Sequence, residues 1–268
     1  MKNKLLCWFA LFVVGVSAVQ AQDAFDHSHA DFTEVLQAHV VVYDEGQRSV
    51  VDYAALQSDE TLLQDYLQQL SAVSMSAYRD WTAEQQLAFL INAYNAFTLE
   101  LINANYADFA DGDAASIRDL GSFFTSPWER EFFTLLGAER SLDWLEHETI
   151  RIDFDEPRIH AALVCAAMSC PKLRAEAFVA ERLDAQLDDQ MQTFLHDRSK
   201  NGIDDQGLYL SRIFDWYEDD FDDLRVYMRQ YSDALADTHE QEEALAGDIR
   251  IRYTDYDWSL NSPENAGL

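Results

Sequence analysis

Apolar residues spaced three and four positions apart recur along the chain, and this spacing predicts that helices form most of the fold. In the stretch 62–70, leucines and a tyrosine follow this spacing behind Ser58, a suitable N-cap. Thr82 and Gln85 have the spacing of a capping box, in which each side chain bonds a free amide of the first turn. The helix that they begin is predicted to run to about Tyr106. It is apolar on nearly all sides and should therefore be buried.

Shorter runs of β-branched and aromatic residues predict extended segments near 40–43, 50–53, 132–136, 208–210 and 249–253. Ser141, which follows one of these runs, is the expected cap of a further helix. The fold class predicted from these elements is α+β, a helix-dominated single domain with a small, mainly antiparallel sheet. The domain is expected to span residues 22–261, and residues 262–268 are expected to form a loose tail.

The first 21 residues have the three parts of a secretory signal peptide. Lys2 and Lys4 precede an apolar run at 5–18, and small residues around Ala21 suit a cleavage site. This run is shorter than the roughly 18 to 20 residues that a membrane-spanning helix needs. The only cysteine in this part, Cys7, is not placed for lipid attachment. We expect cleavage near Ala21, release from the membrane, and a periplasmic or secreted location.

The acidic composition excludes one class of partner. The formal net charge of −30 makes nucleic acid implausible, because a surface this negative repels phosphate. With 48% hydrophobic and 13% aromatic residues, the chain is expected to fold and to bury a core. A small-molecule or peptide ligand remains the expected partner.

Candidate chemistry is concentrated between residues 146 and 171. Both cysteines that remain after cleavage, Cys165 and Cys170, lie there with His147 and His160. Pro157 and Pro171 predict that the apolar run between them is a buried helix, which ends before Cys170.

Several separated motifs resemble, in the same order along the chain, the domain-of-unknown-function family 547. They are Phe89-Leu90-Ile91-Asn92-Ala93-Tyr94-Asn95, Leu145-Glu146-His147 to Ile150-Arg151, Arg158-Ile159-His160 through Ser169-Cys170-Pro171, Ser211 to Phe214 with Trp216, and Tyr256-Asp257-Trp258. Members of that family occur in bacteria and as a domain of plant proteins. The family has no settled activity, so the resemblance locates a site and implies no particular reaction.

The first hypothesis for this site is a Cys/His-dependent hydrolase or acyl-transfer enzyme. A cysteine nucleophile needs its thiolate, which a nearby histidine or a helix N-terminus favours. In one straight helix His160 lies about 140° around the axis from Cys165, so those two side chains would not meet. His147 could approach either cysteine, with Glu146 or Asn92 orienting its ring. Cys170 could instead begin the next helix, where its pKa would fall.

Three other interpretations stay open for the same residues. The cysteines could form a disulfide in a binding or structural module, but residues five apart in a helix have Cα atoms about 8.6 Å apart. A bridge therefore requires the helix to end between them. They could also pack in the core as free thiols. Zinc could bind His147, His160, Glu146 and a cysteine, but their spacing matches no known zinc motif, so no cofactor is predicted.

Four further polar side chains each have a structural and a functional interpretation. Asn92 and Asn95 share one face of the buried helix, and they either bond a neighbouring loop or line the site. Arg151 and Arg158 either pair with nearby acids such as Glu148 and Asp155 or bind a substrate carboxylate. The acidic run 219–223 is predicted to be an exposed charged segment.

Overall fold

The computed structural model describes residues 25–122 and 124–268. The predicted signal peptide and its cleavage site lie outside these residues. Within the described ranges, no helix combines the length and the apolar character needed to cross a membrane.

Helices dominate the described residues, as the apolar spacing predicts. The α-helices are α1 Ala30–His39, α2 Tyr53–Ser58, α3 Thr61–Ala72, α4 Met75–Arg79, α5 Ala83–Asn103, α6 Tyr106–Ala110, α7 Arg151–Asp153, α8 Ile159–Ala162, α9 Leu183–His196, α10 Ile213–Trp216, α11 Leu224–Arg229, α12 Ser232–Leu235, α13 His239–Ala246 and α14 Pro263–Ala266. A π-helix, Trp144–Ile150, leads directly into α7. Short 3-10 helices occupy Asp44–Gly46, Ile117–Leu120, Ala180–Arg182 and Glu218–Phe221.

The strands are short and form three small sheets within the described residues. They are β1 Val40–Tyr43, β2 Arg48–Val51, β3 Phe133–Leu135, β4 Ala138–Arg140, β5 Gly202–Asp204, β6 Gly207–Leu210 and β7 Ile251–Tyr253. Strands β1 and β2, β3 and β4, and β5 and β6 pair antiparallel, while β7 adds to β6 in parallel. The predicted class, helix-dominated α+β with a small and mainly antiparallel sheet content, is confirmed, although the strands form separate sheets.

Helix α5 is the central element of the larger core. The capping box predicted from Thr82 and Gln85 is present, and the helix ends at Asn103, slightly before the expected Tyr106. Its residues from Leu87 to Phe97 are all buried, and helix α3 packs against it. The leucine-rich helix α3 begins at Thr61 behind Glu60, so the prediction of Ser58 as its cap is wrong. Ser58 is instead the last residue of α2, where its hydroxyl donates to the Ala54 carbonyl.

A second apolar cluster gathers around helix α9 and strand β6, with Phe194, Leu208 and Phe214 at its centre. Tyr256 packs against this cluster and against the larger core as well. The segment that follows β7 therefore lies where the two clusters meet, and this is where the candidate site is found.

The proline-bounded helix predicted between Pro157 and Pro171 is wrong. Helix α8 covers only Ile159–Ala162, and the chain turns to extended backbone at Leu163. The cause is Asn95 of helix α5, whose amide N–H donates to the Ala162 carbonyl at 3.0 Å and whose oxygen accepts from the Val164 N–H at 2.9 Å. These bonds occupy main-chain groups that a longer helix would use.

Two smaller expectations also change. Residues 171–179 contain no helix, so Cys170 does not begin one. The terminal residues expected to be a loose tail include the helical turn α14, where the Asn265 side chain donates to the Leu260 carbonyl.

Candidate active site

The helical stretch that contains the π-helix supplies three polar side chains to one pocket, Asp143 from just before the π-helix and Glu146 and His147 from within it. Ser141 caps the start of this helical stretch, as predicted, and its hydroxyl accepts from the Trp144 N–H at 3.1 Å. A π-helix has wider turns than an α-helix and is frequent at functional sites. Asp143 and His147 are four residues apart and so lie on the same side of this stretch, with His147 Nε2 3.8 Å from Asp143 Oδ1. Together with Glu146, these two residues line the pocket.

The early end of helix α8 brings the two cysteines together. Ala166 turns the chain with a positive φ of 59°, and the chain then folds back so that Cys165 Sγ lies 2.6 Å from Cys170 Sγ. The Cys165 N–H also donates to Cys170 Sγ, at 3.1 Å. Both cysteines are free thiols, Cys165 half-buried and Cys170 buried.

Tyr256 contacts both thiols of the pair. Its hydroxyl lies 3.3 Å from Cys165 Sγ and 3.2 Å from Cys170 Sγ. The segment that carries it is bonded to the cysteine loop, since the Met168 N–H donates to the Ser259 carbonyl and the Ser169 N–H to the Asp257 carbonyl. The position of the hydroxyl relative to both sulfur atoms is therefore fixed by the main chain.

The two thiols differ in their acidity. Burial tends to raise the pKa of Cys170, but hydrogen bonds from Cys165, from Tyr256 and from main-chain N–H groups outweigh it and lower this pKa to about 7. The pKa of Cys165 is raised, first by its hydrogen bond to Cys170 and then by burial. The two groups titrate as a pair, which loses its first proton near neutral pH and keeps the second.

His160 is held by a charged network that includes Asp220. Its Nε2–H donates to Asp220 Oδ2 at 2.7 Å. Arg151 binds the same carboxylate through two hydrogen bonds, at 2.6 and 2.7 Å, and donates a third to His147 Nδ1 at 2.9 Å. The guanidinium of Arg151 is the main reason that the pKa of Asp220 is lowered. Burial lowers the pKa of His160 despite this carboxylate, so its ring is neutral at pH 7.

Tyr217 stacks between the two histidines. Its ring centroid is 3.9 Å from that of His160 and 6.0 Å from that of His147, with interplanar angles of 22° in both cases. Its hydroxyl is hydrogen-bonded to Glu146, a buried carboxylate. Burial and the charge of Glu146 raise the pKa of Tyr217, so this hydroxyl stays protonated and donates.

These groups surround one pocket with a volume of about 310 Å³. Its walls are largely aromatic, and its polar atoms come from the π-helix, the histidines and Cys165. The lining residues are Tyr94, Ser126, Trp128, Asp143, Glu146, His147, His160, Leu163, Cys165, Ile213, Trp216, Tyr217, Tyr256 and Trp258.

The structure brings four of the predicted site residues into this pocket: Glu146, His147, His160 and Cys165. Cys170 lies behind Cys165 and reaches the pocket only through that sulfur atom and Tyr256.

The other four predicted site residues are engaged elsewhere. Asn92 and Asn95 are buried and use both ends of their amides on the main chain of other segments. Arg158 pairs with Glu156 and Asp184. Arg151 pairs with Asp220 and not with the neighbouring acids expected from the sequence.

Sequence reasoning missed the residues that complete the pocket. Tyr256, Trp258 and Trp216 stand in the motifs that carry the family resemblance, so that signal could have found them. Asp220 had no such signal, because it belongs to an acidic run that is typical of exposed segments. Its role depends on a contact 69 residues distant in sequence, with Arg151.

A metal site is not evident among these groups. In the described part of the chain, no three His, Cys, Asp or Glu side chains are grouped so that they could hold a metal ion.

Comparison with known proteins gives a family and no characterised relative. Residues 78–195 match the model of a family described as "Protein of unknown function, DUF547". No curated protein and no solved structure matches the chain.

Proposed function

We propose that this chain, which belongs to the DUF547 family through residues 78–195, is an exported thiol-dependent redox protein. In this proposal Cys165 and Cys170 form a dithiol that exchanges with a small disulfide bound in the aromatic pocket. The observation that carries the proposal is the 2.6 Å contact between the two sulfur atoms at the pocket wall.

The acidity of the pair supports thiol exchange. The thiolate is the reacting form, and a pKa of about 7 for Cys170 gives the pair a thiolate near neutral pH. Because Cys165 donates a hydrogen bond to Cys170, its proton has an acceptor at hydrogen-bonding distance. No separate base is needed to deprotonate the sulfur atom that faces the pocket.

The two cysteines differ in exposure, and this difference assigns their roles. Cys165 lines the pocket and would attack one sulfur of a disulfide R–S–S–R′, breaking the S–S bond and releasing R′S⁻. Cys170 would then attack Cys165 Sγ, release RS⁻ and leave a Cys165–Cys170 disulfide. The dithiol gives up two electrons, and its two protons go to the released thiolates. An external dithiol reverses the reaction and restores the pair.

The contacts of the histidines favour this reaction over acyl transfer. Among the described residues, no hydrogen bond joins Cys165 to His147 or His160. His147 Nδ1 accepts from Arg151, and His160 Nε2 donates to Asp220. A hydrolase would need one of these rings to accept the Cys165 proton, a role that Cys170 already fills.

Export is part of the proposal and rests on the sequence. The basic start, the apolar run and the small residues near Ala21 support secretion of the mature chain. An oxidising compartment allows both redox states of the pair to occur.

The experiment is a single-turnover exchange with 2-hydroxyethyl disulfide, a small neutral disulfide. We expect the reduced protein to release two thiols per chain and to lose two hydrogens by intact mass. Its rate at pH 7 should exceed that of the urea-unfolded chain by about tenfold or more, because the pair carries one thiolate near neutral pH and proton transfer across the contact between the sulfur atoms supplies it to Cys165. The Cys170→Ser variant should stop at a mixed disulfide on Cys165, and Cys165→Ser should release no thiol at this enhanced rate.

Three outcomes would overturn the proposal. The folded protein could react no faster than the unfolded chain. Cys170→Ser could react without leaving a trapped adduct. The protein could also be isolated with a bridge that dithiols reduce only after unfolding, which would make the pair a structural disulfide.

A further inference from the structure

Four of the aromatic residues that line the pocket have ring planes that are inclined to one another by different angles. Trp216 and Trp258 are stacked with centroids 5.7 Å apart, and Tyr256 lies 4.5 Å from Trp258. Trp128 stands nearly perpendicular to Trp258, at 71° and 5.9 Å. All four rings line the same small pocket, and aromatic rings gathered around one volume are typical of sites that recognise organic cations.

The rings of this wall already interact with a cation. The guanidinium of Arg118, which is not a pocket-lining residue, lies 5.1 Å from the centroid of the Trp258 ring. An indole face is the most favourable aromatic surface for such a contact.

Negative charge is placed beside these rings. Glu146 is buried with only 7% of its surface exposed, and its one described hydrogen bond comes from the Tyr217 hydroxyl. Asp143, which is more exposed, lies one turn earlier on the same helical stretch. A carboxylate removed from water in this way is stabilised by an opposite charge.

The described residues that line the pocket place no lysine or arginine against these carboxylates. Arg151 interacts with Glu146 through its charge, but its hydrogen-bond donors are on Asp220 and His147. The remaining titratable groups in the lining are His147, a neutral His160, Cys165 and tyrosines whose pKa values burial raises.

We propose that the pocket binds a small organic cation, an ammonium group enclosed by Trp128, Trp216, Tyr256 and Trp258 and balanced by Glu146. This inference deepens the proposed function and rests on it for its biological meaning, because it assigns the substrate class as a disulfide that carries an ammonium group. A volume of about 310 Å³ is at the small end for ligand pockets, which suits such a compact molecule.

Binding can be measured without any turnover. We would titrate the reduced protein with choline and with 3,3-dimethyl-1-butanol, its neutral isostere, following tryptophan fluorescence and binding heat. We expect choline to bind about tenfold or more tightly than the isostere, because only choline gains cation–π and carboxylate interactions.

Two variants with the same change in net charge separate the pocket carboxylate from the general negative surface. Glu146→Gln should weaken choline binding about tenfold and leave the isostere unaffected. Glu148→Gln, an exposed residue of the same helix, should leave both unchanged. Circular dichroism checks that each variant is folded. Trp216→Leu is a second test that does not alter charge, and it should also weaken choline binding.

Equal affinity for choline and its isostere would overturn the inference, as would equal losses in Glu146→Gln and Glu148→Gln. Absence of choline binding at millimolar concentration would also overturn it. None of these results bears on exchange with the neutral 2-hydroxyethyl disulfide. Conversely, a protein that binds choline selectively but fails to exchange would refute the redox function and leave the ligand class standing.

Discussion

The side-chain oxygen of Asn95 accepts a hydrogen bond from the N–H of Val164 at 2.9 Å, across 69 residues of sequence. The amide of the same side chain donates to the Ala162 carbonyl, so one residue of the central helix fixes the main chain on both sides of Leu163. Cys165 follows directly. The position of the pocket-facing sulfur atom therefore depends on a buried asparagine that has no contact with the pocket itself.

Replacing this asparagine should disturb both stability and thiol chemistry. Asn95→Ala leaves a buried carbonyl and a buried N–H without partners, which should lower the free energy of unfolding by about 2–5 kcal/mol. It should also loosen the loop and so raise the pKa of the thiol pair. Urea unfolding and the pH dependence of iodoacetamide labelling would measure the two effects.

Asn92 offers a matched control for this prediction. It makes the same two bonds to the main chain, but at Phe178, which follows the cysteine loop and lies outside it. Asn92→Ala should cost a similar amount of stability and leave the labelling profile unchanged. If both variants shift the profile equally, the link between Asn95 and the thiols is wrong.

The hydroxyl of Tyr256 should set the acidity of the thiol pair. Its hydrogen bonds lower the pKa of both Cys165 and Cys170, so Tyr256→Phe should raise the pKa at which the first proton leaves. One hydrogen bond of ordinary strength corresponds to a rise of up to about one pH unit from the parent value near 7. Far-ultraviolet thiolate absorbance across pH would record it. Tyr66→Phe, which removes a buried hydroxyl bonded to His29, should leave the thiol titration unmoved.

Local sequence patterns predict much of this fold but only part of the site. The capping box of Thr82 and Gln85 and the apolar spacing of helix α3 depend on neighbours along the chain, so the local sequence is sufficient to predict both helices. The residues 159–164 illustrate the limit. Their composition favours a longer helix, and only the side chain of Asn95, which competes for the main-chain bonds, ends it. That contact is tertiary and leaves no local signal.

The same limit explains the thiol pair and the acidic run. A continuous helix would keep Cys165 and Cys170 apart, and the early end of α8 brings them together. Asp220 sits among three other carboxylates in the run 219–223, and nothing in that run distinguishes it. Its contacts with Arg151 and His160 give it a structural role that the composition of the acidic run does not indicate.

Asp220 should stabilise the fold in a pH-dependent way. Asp220→Asn removes one charged partner from Arg151 and His160, and we expect a loss of about 1–2 kcal/mol at pH 7, because the pair is partly exposed. The folded-state pKa of Asp220 lies below its ordinary value of 3.8, chiefly because of Arg151. Its contribution is therefore complete above about pH 4 and is lost as the pH falls through that lower value.

Unfolding in urea at pH 7 and at pH 3 would test this dependence. The gap between the parent and Asp220→Asn should narrow at the lower pH. Asp219→Asn changes the same charge at an exposed neighbour and should have little effect at either pH. A gap that stays constant with pH would show that the loss comes from packing and not from the ionised carboxylate.

His29 should make the protein less stable below neutral pH. It is buried, with Nδ1 2.7 Å from the Tyr66 hydroxyl, and its pKa is lowered to about 4, mainly by burial and further by His27. The unfolded chain takes up a proton near the ordinary value of 6.5, whereas the folded chain does not. Stability from the neutral ring is therefore full above that value and is lost as the pH falls from 6.5 towards 4. The loss should reach about 2 kcal/mol by pH 5.

His29→Asn isolates this effect, because asparagine tolerates the left-handed backbone of that position, with φ 48°, and cannot take up a proton. The variant should be less stable than the parent at pH 7.5, since it loses the bond to Tyr66. Its stability should then fall by about 2 kcal/mol less than that of the parent on going to pH 5. His239→Asn, at an exposed histidine, should fall as steeply as the parent. Parallel declines in the parent and His29→Asn would mean that a group other than His29 controls stability in this range.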